Sequence, residues 1–160
     1  MKKWIIFILV AVVVIVGSQL WLTYHKNISY EKKASQTAIV QARHHFHATN
    51  VRAVNYYYGK EAYHVLRGRA GGHAVYLWIP DNKKKGTYIE RRVNAGITKQ
   101  KALQVFEGLH LDVSKVVSVK LGVNDNAPTW EITFLDAKQR YNYVSIYFDN
   151  GKEAERILHI

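Results

Sequence analysis

Apolar and small residues recur every four positions at Tyr30, Ala34, Ala38, Ala42 and Phe46, with Ile39 alongside. Ser29 stands where a helix needs a cap, and Glu31 suits its positive end. The spacing predicts a helix from Ser29 to about Thr49, with a small-residue stripe that lets a sheet approach closely. The period then drops to that of strands in Asn50–Tyr58, Glu61–Arg69 and His73–Ile79, separated by turns at Gly59-Lys60 and Gly71-Gly72. Asp81–Gly86 reads as a polar loop, and Thr87–Val93 as a further strand or a linker.

The same order begins again after Ile97. Thr98 caps a second helix with Ala102, Leu103, Phe106 and Leu109 on its apolar face and Gly108 near its end. Lys115–Leu121, Thr129–Leu135, Tyr141–Phe148 and Glu153–His159 read as three or four strands. Trp130, Ile132 and Phe134 alternate with Thr129, Glu131 and Thr133, so the first set is expected to pack on Phe106 and Leu103. Asp149-Asn150-Gly151 is a hairpin signal. Lys33-Ala34-Ser35-Gln36 matches Lys101-Ala102-Leu103-Gln104, and Asp81-Asn82 matches Asp149-Asn150, both about 68 residues apart. The fold class expected is α+β: two tandem α-β-β-β units, each a helix packed on an antiparallel sheet, at 29–94 and 95–160.

Ahead of them, residues 1–28 read as a cytoplasmic stub, a transmembrane anchor and a short linker. From Trp4 to Leu22 no charged residue occurs, and a helix of that length spans roughly 28 Å, close to a bilayer core. Trp4 and Trp21 fall at the two interfaces. Bulky Trp21, Leu22 and Tyr24 replace the small residues of a signal-peptide cleavage site, so the anchor is expected to be retained. Lys2 and Lys3 favour an inside N-terminus, which places the C-terminal body outside the cell membrane.

The absence of cysteine excludes a disulfide framework, a thiolate zinc site and a cysteine nucleophile. No Gly-x-Ser-x-Gly, Ser-x-x-Lys or His-Glu-x-x-His sequence occurs, so no enzyme and no cofactor are expected. The net charge is +11, and only Lys2 and Lys3 of the cations precede the apolar run. A basic body suits an anionic partner, or simply solubility beside a charged envelope. Lys83, Lys84, Lys85, Arg91 and Arg92 form the densest positive stretch and are the candidate binding residues, for anionic wall polymers or lipid head groups. Tyr56 and Tyr58 with Arg52 and Lys60 could offer bases a stacking surface, but tyrosines suit strands anyway, and nucleic acid is the disfavoured partner. His44, His45 and His47 have no nearby Asp, Glu or Cys to complete a metal site and read as residues at a helix end.

An N-terminal anchor followed by two such units resembles the TseB-like (YpmB-like) cell wall elongation regulators of Gram-positive rods. The sharpest local match is Tyr147-Phe148-Asp149-Asn150-Gly151-Lys152, which is similar to the end of a PepSY-type, cystatin-like unit. The first copy departs from it at Pro80-Asp81-Asn82-Lys83, which lacks the glycine. The resemblance implies a non-enzymatic, single-pass adaptor that binds a membrane-bound penicillin-binding protein and modulates peptidoglycan synthesis. It brings no catalytic or binding residue with it. The alternatives are a basic extracellular module for anionic polymer or nucleic acid, and a cystatin-like or PepSY-like protease inhibitor.

Overall fold

The computed structural model describes residues 14–19, 21 and 33–160. Residues 33–46 form helix α1, followed by strands β1 (Thr49–Tyr58), β2 (Ala62–Ala70), β3 (His73–Pro80) and β4 (Ile89–Arg92). Helix α2 (Lys99–Glu107) is followed by β5 (Lys115–Asn124), β6 (Ala127–Leu135), β7 (Tyr141–Tyr147) and β8 (Glu153–Ile157). The strands make two antiparallel meanders, β1-β2-β3-β4 and β5-β6-β7-β8. The chain is α+β, and Ala38–Ile160 is one compact unit.

The helix stripe does what its spacing requires. Ala38, Ile39 and Ala42 are buried against Leu66, Val75, Leu77 and Ile79 of the first sheet. In the second half, Thr98 caps α2 by accepting from the Lys101 amide, and Phe106 packs on Ile132, Phe134, Val144 and Ile146.

The expected α-β-β-β unit is corrected to α-β-β-β-β in both halves. The segment left between strand and linker becomes β4, paired with Val75–Trp78 of β3. Ile89 fills the core beside Trp78, and the short strand covers an edge whose N–H and C=O groups would otherwise lie open. β8 does the same for β7. The hairpins follow their turn residues: Gly71 and Gly72 have φ of 54° and 80°, and Asp125 and Asn126 have φ of 45° and 62°. Two positive values in succession match the twist of a two-residue hairpin.

One expectation about the core divides. Ile132 and Phe134 face α2 with Phe106 and Leu103, and the Phe106 and Phe134 ring centroids are 5.1 Å apart. Trp130 belongs to a different core, lying between the sheets with Tyr63, Val65, Trp78, Leu121 and Phe148. Its indole N–H donates to the Ile97 carbonyl at 2.9 Å. Tyr76, Trp78 and Phe148 pack edge to face around this core at 6.0–6.1 Å.

Most of the Trp4–Leu22 run lies outside the described residues; within it, residues 14–19 and 21 are helical. Among the described residues no helix is long and apolar enough to cross a membrane.

Candidate functional site

Because α2 takes the Ile132 and Phe134 side of the second sheet, the odd positions of β6 point to the other side. There Lys120, Glu131, Ser145 and Glu155 stand directly opposite one another across β5, β6, β7 and β8. Like-facing partners in register lie about 5 Å apart, so this is one continuous polar row. The end of β1 overhangs it. Tyr57 lies over Gly122, so close that a β-carbon on Gly122 would meet the ring at 2.6 Å. Between the β1–β2 hairpin and the row runs a groove of about 560 Å³, lined by Tyr57, Tyr58, Glu131, Tyr143, Ser145 and Glu155 among others. That volume is in the range of small-ligand sites.

The base of the groove is electrostatically tuned. Burial pushes the Tyr57 phenol up to about 12, and the charges of Glu131 and Glu155 push the same way. Burial also raises the Glu131 carboxyl, against the pull of Lys120 and the facing Tyr57 hydroxyl. Glu155 accepts from the Asn124 amide at 3.3 Å. Lys60 and Asp125 pair at 3.5 Å on the rim, both largely exposed, so that pair contributes little. The groove offers carboxylates, a hydroxyl and tyrosine walls.

The five candidate cations are not gathered into one site. Lys83, Lys84 and Lys85 are exposed on the β3–β4 loop. Arg91 and Arg92 are neighbours on β4 and therefore point to opposite faces. Arg91 is bound to Asp149, its Nε donating to both carboxylate oxygens at 3.0 and 3.1 Å. Sequence reasoning missed Arg67 and did not set Arg52 beside it. Arg52 faces Arg67, Arg67 faces Tyr76 and Tyr76 faces Arg91 across the first sheet. The Arg67 guanidinium lies over the Tyr76 ring at 5.9 Å. The only local signal was the odd spacing within β2; the β1 partner depends on irregular register at both sides of Arg52.

The tyrosine run divides as well. Tyr57 is buried, Tyr58 is exposed, and the Tyr56 hydroxyl donates to Asp81 at 2.7 Å. His45 stacks on Tyr88 at 4.3 Å, and His44 and His47 are exposed. Among the described residues no group of three or more His, Cys, Asp or Glu is placed to hold a metal ion.

Comparison with known proteins now bears on the whole body. The chain is 30% identical over 137 residues to the "Probable cell wall elongation regulator TseB" of Bacillus subtilis (strain 168), covering 84% of this chain and 83% of that one. This chain belongs to the TseB/YpmB-like family. The YpmB protein from Bacillus subtilis shares the architecture of this family member with a TM-score of 0.69 at 31% identity, over 76% of this chain and 94% of that one. No family model matches this TseB/YpmB-like chain.

Proposed function

We propose that this chain is a non-enzymatic regulator of cell wall elongation, held at the outer face of the membrane by residues 4–22, that binds a penicillin-binding protein. The observation that carries the reading is the reach of the match to a relative named a cell wall elongation regulator, over 84% of this chain. The charge-free run from Trp4 to Leu22 behind Lys2 and Lys3 supports the anchor. An anchor confines the body to the membrane plane and raises its effective concentration beside a membrane-bound synthase.

The docking surface in this reading is the groove of the second sheet. Tyr58 and Tyr143 supply rigid aromatic contacts at its mouth, and Glu131 and Glu155 supply charge for a basic side chain of the partner. The test is photo-crosslinking in living cells from a reactive amino acid placed at Tyr58 or Tyr143. Capture of a penicillin-binding protein from these positions, and not from Lys84, is the expected result. Capture only from Lys84, or no capture of any wall synthase by a protein that is made and exported, overturns the reading.

A further inference from the structure

The first sheet holds a charge arrangement that folding alone does not explain. Arg52 and Arg67 are cross-strand partners on one face, with Tyr76 and Arg91 continuing the row across β3 and β4. Like charges directly opposite across antiparallel strands repel each other. Among the described residues neither Arg52 nor Arg67 has an ion-pair partner. The Arg67 guanidinium lies over the Tyr76 ring, and Arg91 is partly neutralised by Asp149. The row stands next to the core row of Asn55, Val65, Trp78 and Ile89, so its backbone is rigidly held.

We propose that the row Arg52–Arg67–Tyr76–Arg91 binds a phosphodiester polyanion of the kind that makes up anionic wall polymers. Guanidinium groups present planar, paired donors that match phosphate oxygens. Across three strand gaps the row is about 14 Å long, a linear track along which successive phosphates of one extended chain can lie. Tyr76 in its middle gives the chain's carbon skeleton a surface between charges. The positive field continues onto α2, whose first turn carries Lys99 and Lys101 and no acid. The Ile97 amide ties the start of that helix to the Phe148 carbonyl, one residue from Asp149. A membrane surface is the poorer fit. Arg67, Tyr76 and Arg91 are half-buried, and a flat layer of head groups would meet the exposed Lys83–Lys85 loop first.

The test uses the full chain in a zwitterionic detergent with poly(glycerol phosphate) as probe, titrated at several salt concentrations. The double variant Arg52→Gln, Arg67→Gln is expected to bind about tenfold or more weakly, with a shallower salt dependence. The triple variant Lys83→Gln, Lys84→Gln, Lys85→Gln removes more charge and is expected to lose less than about threefold, because those lysines contribute only to the general field. The double variant is also expected to melt at an unchanged or higher temperature, since a repulsive pair has been relieved. That separates a binding role from a structural one. Wild-type affinity in the double variant, or an equal loss in the lysine triple, overturns the proposal. So does binding to phosphatidylglycerol vesicles with none to the polymer. Crosslinking to a synthase that survives the double variant shows that this surface is separate from the protein-docking groove.

Discussion

The side-chain amide of Asn55 closes on the main chain of Leu121 in both directions: Nδ2 donates to the Leu121 carbonyl at 2.9 Å, and Oδ1 accepts from its N–H at 3.3 Å. Asn55 lies on the outer strand of the first sheet and Leu121 on the outer strand of the second. One side chain thus stands in for a strand and joins two sheet edges that would otherwise each face open. Asn55→Ala leaves both Leu121 groups without their partners and should destabilise the body by about 1–3 kcal/mol. Denaturant unfolding of the full chain measures it. A midpoint equal to wild type would mean that water replaces the amide without loss.

Gly122 sets the position of Tyr57. In Gly122→Ala the new methyl would meet the Tyr57 ring at 2.6 Å, so ring or backbone must shift. The expected loss is about 1–3 kcal/mol. Displacement should also bring the Tyr57 phenol down from about 12 toward the ordinary tyrosine value. The folded-state value is raised, so this tyrosine's contribution to stability is complete below about pH 10 and is lost as pH rises through about 12. Burial raises the Tyr63 phenol as well, so ultraviolet titration of phenolate should show one fewer late-titrating tyrosine in the variant than in wild type.

Thr129 is fully buried between Gly122 and Tyr147, and its hydroxyl has no hydrogen-bond partner among the described residues. Thr129→Val keeps the shape and removes the unpaired group. We expect a gain of about 1–2 kcal/mol, read as a higher denaturant midpoint. A loss of stability would show that the hydroxyl is bonded in solution.

Asp136 organises the turn between β6 and β7. Its carboxylate accepts from the Lys138 and Arg140 amides at 2.9 and 3.0 Å and from the Arg140 guanidinium at 2.8 Å, with the His159 ring 3.5 Å away. The Arg140 amide and guanidinium hold its carboxyl down at about 2. The folded-state value lies below the unfolded one, so this contribution is present above about pH 4 and is lost as pH falls through about 2. Asp136→Asn should lower stability at neutral pH and flatten the acid limb of the stability curve. An acid limb unchanged in the variant would assign that limb to other carboxylates.

Several features were readable from local sequence because their causes are local. The α1 stripe at Ala38, Ile39 and Ala42, the alternation along β6 and the Asp149-Asn150-Gly151 turn each follow from a repeat or a backbone preference that acts within a few residues. The family resemblance was legible for the same reason, since the order of helix and strands repeats along the chain. Pairing across long separations was not legible. The register of β1 slips between Thr49 and Arg52 and again between Ala53 and Asn55, which puts Arg52, Asn55 and Tyr57 on one face although strict alternation would divide them. Only that slip sets Arg52 against Arg67, aims Asn55 at a backbone 66 residues away and lays Tyr57 over Gly122. Trp130 likewise shares the alternation of Ile132 and Phe134 yet enters the core between the sheets, because the approach of the first sheet decides what covers its end of β6. The sequence by itself determined which segments become helix or strand and which side of each is apolar. The tertiary structure alone decided which edges meet, and with them both the groove and the arginine row, because register is a property of pairs of strands and no single strand carries it.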